Sequence, residues 1–315
     1  MKTLDVVNSR LIFVSGKGGV GKTCLTASLG KTSASLGKKT LIIEVDNFHP
    51  SFSPIFKKEN TYEPVNIEKN LDMCNVTWPT ALEDWLVHTI HLKSVVHLVL
   101  SNRIAMLFLN ATPGAREIVI LSKIIHQLDF YDKVIVDLPA SGHAFGILRV
   151  PTTAISLMRT GPIHDRAKQI NAVFSSNKAA IVLSSLPEEM VVNETIEFYD
   201  KIRNEIPQFQ NITVFLNRTA VPSFSKEEAQ LLQQLKEEQA KHPEWKEYIQ
   251  AGSWDKELEE STTRAIGRLE EKLGYSIFTF ARLGLLGGFE GGIRKVVEQM
   301  TSSLNRRIQK EASQQ

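Results

Sequence analysis

Cysteine is scarce in this 315-residue sequence: two thiols, Cys24 and Cys74, cannot build a disulfide framework or a four-cysteine zinc site within one chain. That scarcity suits a reducing compartment. No apolar run reaches the length of a membrane span, and the opening MKTLDVVNSRLIFVSG has no long apolar core followed by a small-residue cleavage site. The sequence therefore predicts a cytoplasmic protein with no integral membrane segment. A surplus of one charge is also missing. The 37 Lys and Arg nearly balance the 35 Asp and Glu, a formal net charge of +2 that gives no electrostatic reason to expect a nucleic-acid partner. No repeat of 20 to 50 residues is evident either, which argues against a solenoid.

What is present is an alternation. The runs LIFVSG (11–16), TLIIEVD (40–46), KVIVDLP (133–139), AAIVLSS (179–185) and ITVFLNR (212–218), with YSIFTFARL (275–283) as a sixth, are short, apolar and rich in β-branched residues, and helical stretches separate them. Continuous rather than alternating apolar character predicts strands covered on both faces. The fold class that follows is α/β, a doubly wound, mostly parallel sheet flanked by helices. Residues 1–315 read as one domain with two helical insertions, about 57–130 and about 223–272. Only the last residues, KEASQQ, read as a disordered tail. In such sheets ligands sit beyond the carboxyl ends of the strands, so the residues just after each run are the first candidates for chemistry.

The first run leads into GKGGVGKT, residues 16–23, which matches G-x-x-x-x-G-K-[ST] between a strand and a helix, the context of a P-loop. Backbone N–H groups from Gly16, Gly18, Gly19, Val20 and Gly21, continuing through Lys22 and Thr23 to Cys24, are expected to surround an anion at a helix N-terminus. Lys22 is expected to reach the β- and γ-phosphates of ATP, and the Thr23 hydroxyl to ligate Mg²⁺. Lys17 is a second lysine on a loop that ordinarily has one.

With Lys17, this loop resembles the deviant P-loop of the dimeric ATPases that include the partitioning proteins ParA and MinD, the nitrogenase iron protein, and the arsenite-pump and tail-anchored-protein-targeting ATPases. The resemblance implies a homodimer, or a heterodimer with a paralogue, in which Lys17 is an intermolecular catalytic lysine reaching the facing subunit's phosphates. The stretch VDLPASGHAFGILRVP (136–151) resembles the D-T-A-P-T-G-H-x-L-R-L-L-x-x-P signature of the arsenite-pump and targeting branch, with Asp137, Pro139, Gly142, His143, Leu148 and Pro151 in register. It implies that Asp137 holds Mg²⁺ through water, and that Gly142 and His143 belong to a switch segment. IIEVDNFHPSFSPIF (42–56) occupies the place of the other switch, T-D-P-A-H-N-L-S-D-x-F, with Asp46 and His49 aligned. The later carboxylate, which positions water in that family, falls near Phe52 or Ser53. Either Asp46 takes over water positioning, or the chain turns ATP over slowly, or a partner supplies the group. By the same resemblance Asn217 contacts adenine, Pro187 and Glu188 lie near the base or the dimer face, and 282–296 corresponds to a loop closing over adenine.

Departures from the family exclude some of its chemistry. Arsenite sites need several thiolates and the targeting ATPase's zinc clamp needs a C-x-x-C pair, so neither an arsenite site nor that zinc site is expected. His88, His91 and His97 lack acidic or thiol neighbours in sequence and are read as ordinary surface or core histidines. The apolar segment 85–110 admits two readings: a groove for a hydrophobic protein client, or a buried core helix. The predicted activity is ATP hydrolysis coupled to client binding. The alternatives are an ATP-dependent scaffold with little turnover and a ParA- or MinD-like positioning ATPase; the tail QMTSSLNRRIQKEASQQ has too few apolar residues for a lipid-binding helix.

Overall fold

The computed structural model describes residues 6, 8–46, 49–90, 93–104, 106, 107, 112, 114–176, 178–221, 224–238, 242–282 and 288–313. Leu11–Gly16 (β1) is wholly buried, with Leu11 and Phe13 in one core and Ile12 and Val14 in the other. Successive side chains of a strand point to opposite faces, so covering both faces demands an uninterrupted apolar run.

From β1 the chain passes through Lys22–Ser35 (α1), Thr40–Val45 (β2), Phe52–Phe56 (α2), Val65–Glu68 (β3) and Leu71–Val76 (β4). A helical layer follows, Trp78–Ile90 (α3), Lys93–Ser101 (α4) and Ala115–His126 (α5), before Lys133–Asp137 (β5), Ser141–Leu157 (α6) and Pro162–Phe174 (α7). The rest is Ala179–Ser185 (β6), Glu189–Glu205 (α8), Asn211–Thr219 (β7), Lys226–Glu238 (α9), Lys246–Leu273 (α10), Phe278–Ala281 (β8) and Gly288–Ala312 (α11). The strands form one eight-stranded sheet in the order β3-β4-β2-β5-β1-β6-β7-β8, parallel except for the β3–β4 pair.

Helices cover both faces. On one, Val297, Met300 and Leu304 of α11 pack with Leu25 of α1 against Ile12 and Val14. On the other, α3, α5, α6, α7, α8 and α10 close over Leu11 and Phe13, where the rings of Phe174 and Phe209 stand 4.5 Å apart and meet Phe13 edge-on. Burying each such ring contributes about 1.5–3 kcal/mol. Because β1 has β5 on one side and β6 on the other, the loop leaving it opens at the crevice where the winding reverses direction.

All six apolar runs form strands. The interval 57–130 is not wholly helical, since β3 and β4 lie within it: LDMCNV breaks its apolar run with Asp72 and Asn75, and VNIE is half exposed at the sheet edge. In the interval 223–272, α10 links the parallel strands β7 and β8, which need a crossover of this kind, and buries Ile249, Ala265 and Leu269. The C-terminal helix also extends into the segment read as a tail, with Glu311 buried and paired to Arg307. Segment 85–110 falls partly outside the described residues. Within them, Leu86 and Val96 join the core while Leu98, Ile104 and Leu107 are exposed, so core and surface stripes coexist. Among the described residues no helix is long and apolar enough to cross a membrane.

Candidate nucleotide-binding site

The loop after β1 is shaped by contacts that only glycine permits. Gly16, at φ 145°, presses so closely on the Ser184 carbonyl of β6 that a Cβ would collide with it. Gly21, at φ 90°, starts α1 with the Asn217 amide 2.5 Å from where its Cβ would stand. Between them Val20 is buried, and its carbonyl accepts hydrogen bonds from Ser184 Oγ at 3.1 Å and Asn217 Nδ2 at 3.0 Å. The loop is thus clamped to β6 and β7, leaving its N–H groups at a helix N-terminus. Lys22 folds back over the loop, donating from Nζ to the Lys17 carbonyl at 3.0 Å. Burial pulls its ammonium below the ordinary lysine range, while Asp137 and Glu194 oppose that shift.

Thr23 follows directly and donates to Asp137 Oδ2 at 2.7 Å. The other oxygen, Asp137 Oδ1, is buried and has no hydrogen-bond partner among the described residues. Burial raises the Asp137 carboxyl to about 7, with Glu44 adding to the shift and Thr23 opposing it. An unpartnered carboxylate oxygen on a residue that lines the cleft, beside a threonine hydroxyl, is a donor set that a hard divalent cation satisfies, so the residues fit Mg²⁺. Glu44 stands in register with Asp137 on the neighbouring strand. Its carboxylate, on a residue 2% exposed, accepts from the Ser51 N–H at 2.7 Å, the Phe52 N–H at 3.3 Å and Asn60 Nδ2 at 2.6 Å.

Asp46 follows β2 directly, with a positive φ of 52°. Its Oδ1 accepts the Trp78 N–H of α3 at 3.2 Å, and its Oδ2 is ion-paired with Arg116 in the first turn of α5. Phe52, at the position where the family's water-positioning carboxylate was sought, is fully buried, and Ser53 Oγ accepts the Asn60 N–H. These groups surround a cleft of about 690 Å³ lined by Lys22, Thr23, Glu44, Asp46, Arg116, Glu117 and Asp137, with Gly142 and His143 of α6. That volume lies within the range of ligand sites, roughly 300–1,000 Å³.

Lys17 points elsewhere. Its Nζ lies 3.3 Å from Glu194 of α8, and the other Glu194 oxygen accepts from Ser141 Oγ, at the start of α6, at 2.7 Å.

The sequence-expected residues thus divide. Lys22, Thr23, Asp46 and Asp137 meet around the cleft, whereas neither Asn217 nor Pro187 is among the described residues that line it. Asn217 also accepts the Arg218 N–H at 2.9 Å, and the Pro187 carbonyl accepts the Ser261 hydroxyl beside a smaller cavity of about 220 Å³ between α8 and α10. Burial raises the Cys24 thiol to about 11. No metal-binding group of three or more His, Cys, Asp or Glu occurs among the described residues. His88 instead contacts the Asp84 carbonyl and the His126 ring; His91 and residues 283–287 of the expected adenine loop lie outside the described residues. Sequence reasoning missed Glu44, Arg116 and Glu194. Glu44 did leave a signal, as the one charge inside the buried run TLIIEV.

The profile of the anion-transporting ATPase family matches residues 9–240. Among similar proteins, the ATPase BagA of Mycobacterium tuberculosis is 27% identical over 214 residues, 63% of this chain and 62% of that protein. A protein of Aquifex aeolicus named as arsenical pump-driving ATPase 1 is 25% identical over 208 residues, 62% of this chain and 50% of that one. ATPase ASNA1 homolog 2 of Paramecium tetraurelia is 31% identical over 152 residues, 47% of this chain and 46% of its own length. This chain therefore spans less than two thirds of the length of each of these relatives. The family match covers most of the sheet, including the P-loop, β2 with Asp46 directly after it, and β5 with Asp137, and on that ground the chain belongs to the anion-transporting ATPase family.

Proposed function

We propose that this protein is an ATP-hydrolysing switch that works as a dimer, with Lys17 of each protomer acting on the nucleotide held by the other. The observation that carries this reading is the divergence of the two loop lysines: Lys22 curls over its own loop, whereas Lys17 is turned outward to Glu194 and is about one third exposed. A cation that pairs with another helix rather than with its own loop supports a role at a neighbouring anion site. Delivered in trans, it stabilises charge developing on the transferred phosphoryl group and ties hydrolysis to the arrangement of the two subunits.

Within each protomer, the loop N–H groups and Lys22 bind the phosphates, and Thr23 with Asp137 would hold Mg²⁺. When bound, Mg²⁺ supplies Lewis-acid neutralisation of the phosphate oxygens. Asp46 joins the cleft to the helical layer, since it accepts from the first residue of α3 and pairs with the first turn of α5. Nucleotide-dependent movement of Asp46 and residues 49–60 is therefore felt in α3 and α5, and exposed Leu98 on α4, with Ile104 and Leu107 beyond it, offers apolar surface to a hydrophobic protein client. Arsenite is not the cargo on this reading: Cys74 sits in the core on one face of the sheet and Cys24 packs against the core on the other, so one chain does not bring its two thiols together.

A second reading is favoured by the buried ring of Phe52, which fills the place of the family's water-positioning carboxylate. On that reading the protein binds ATP and scaffolds a complex with little turnover. Steady-state phosphate release by wild type and Lys17→Ala separates the two. The switch predicts that Lys17→Ala loses about 10²-fold or more in turnover, with ATP affinity little changed. Equal, negligible rates in both proteins would contradict it and favour the scaffold.

A further inference from the structure

We propose that Arg116 is a second catalytic cation, one that the protomer supplies to its own nucleotide: its guanidinium leaves Asp46 for the terminal phosphate of bound ATP, and the freed Asp46 oxygen faces the attacking water. This rests on the reading of the cleft as an ATP site and deepens it.

Charge balance in the cleft is the first argument. Of the described residues that line it, Glu44, Asp46, Glu117 and Asp137 carry carboxyl groups, whereas Lys22 and Arg116 carry the lysine and arginine cations. ATP with one divalent cation adds about two further negative charges to a cleft already rich in carboxylates, so a single lysine is a weak counterweight. The planar guanidinium matches two phosphate oxygens at once, and α5 directs its positive N-terminus the same way.

Mobility is the second argument. The Arg116 side chain is 51% exposed, whereas Asp46 is 16% exposed, so the guanidinium is the partner that solvent already reaches and the one free to exchange one anion for another. Its backbone, by contrast, is fixed. Gly114, at φ 81°, lies so close to α6 that a Cβ would stand 2.8 Å from Val150 Cγ1, and the Ile118 N–H closes the first turn of α5 onto the Gly114 carbonyl. The side chain moves on a stationary base.

Asp46 gains a free oxygen in the same exchange. Its Oδ1 keeps the Trp78 N–H, so losing Arg116 frees Oδ2 without releasing the carboxylate. One exchange then provides both charge stabilisation and a water-positioning group in a chain with Phe52 and Ser53 where that group is otherwise expected. The water oxygen bonds to the γ-phosphorus and the bond to the β,γ-bridging oxygen breaks. ADP departs with that electron pair, and the water's proton passes to Asp46 Oδ2 and on to solvent.

The test uses the full chain with Mg²⁺ and fluorescent ATP and ADP, alongside phosphate release. Arg116→Ala is expected to weaken ATP binding about tenfold, the contribution of a charge-assisted hydrogen bond, to leave ADP binding nearly unchanged, and to lower turnover about 10²-fold. Arg116→Lys should recover part of the ATP affinity with little of the turnover. If Arg116→Ala keeps both affinities, or loses ATP and ADP alike, the assignment is overturned, because a contact with the terminal phosphate is invisible to ADP. Wild-type protein that binds neither nucleotide would overturn the ATPase reading itself, an outcome distinct from wild type that binds ATP while the variant shows no ATP-specific loss.

Discussion

On one wall of the cleft, the P-loop keeps its shape through its own backbone and through neutral hydrogen bonds from Ser184 and Asn217 to the Val20 carbonyl. On the other wall, carboxylates do the holding: Glu44 gathers the Ser51 and Phe52 N–H groups and the Asn60 amide, and Asp46 gathers Trp78 and Arg116. The first wall needs no ligand to persist. The second is tied by the very groups that a polyanion and its cation compete for, and Glu44 stands in register with Asp137, the carboxylate that fits Mg²⁺. A binding surface is thus set against a responding one, joined along the edge between β2 and β5.

Glu44→Gln should expose that contrast most strongly. The neutral amide keeps one acceptor and places an NH₂ group against N–H donors, and the expected loss is about 1–3 kcal/mol of unfolding stability. Amide hydrogen exchange should accelerate at Ser51 and Phe52 while the N–H groups of residues 16–23 keep their protection. Equal acceleration on both walls would mean that they open as one cooperative unit rather than as a fixed wall and a responding one.

Glu194→Gln sharpens the comparison from the other side with a smaller effect. The Lys17–Glu194 pair is partly exposed, so its removal should leave stability within about 0.5 kcal/mol. It does release Lys17 from its own chain. ATP-dependent dimerisation, followed by light scattering, should strengthen by up to about fivefold, which corresponds to roughly 1 kcal/mol. Weaker dimerisation would instead show that Glu194 supports the interface.

The two walls also differ in how far the sequence reveals them. GKGGVGKT between a β-branched run and a helical one announces the loop because every requirement is local: glycines where the chain must turn, then a lysine, then a hydroxyl. Asp137 is legible for the same reason, as the end of a buried run. Arg116 and Asp46 meet across 70 positions, and no periodicity relates residues brought together by packing α5 on the sheet. Asn217 is a third case. The resemblance assigns it an adenine contact, and in the structure its side chain also braces Val20, a role that residue type does not announce because an amide that can read adenine can equally hold a loop. Strand β3 escaped because an edge with one solvated face loses the continuous apolar pattern that marked the centre of the sheet, and β4, although buried, because Asp72 and Asn75 interrupt its apolar run.

The central claim is that Lys17 acts across a dimer, and mixing two inactive variants tests it most directly. Lys17→Ala keeps its own phosphate site but donates no cation, whereas Lys22→Ala has a damaged site but still offers Lys17. If the cation works in trans, combining them restores phosphate release that neither variant shows alone, because each mixed dimer contains one intact site facing one intact Lys17. A mixture no faster than the sum of its parts, with mixed dimers shown to form by native mass spectrometry, would contradict the account.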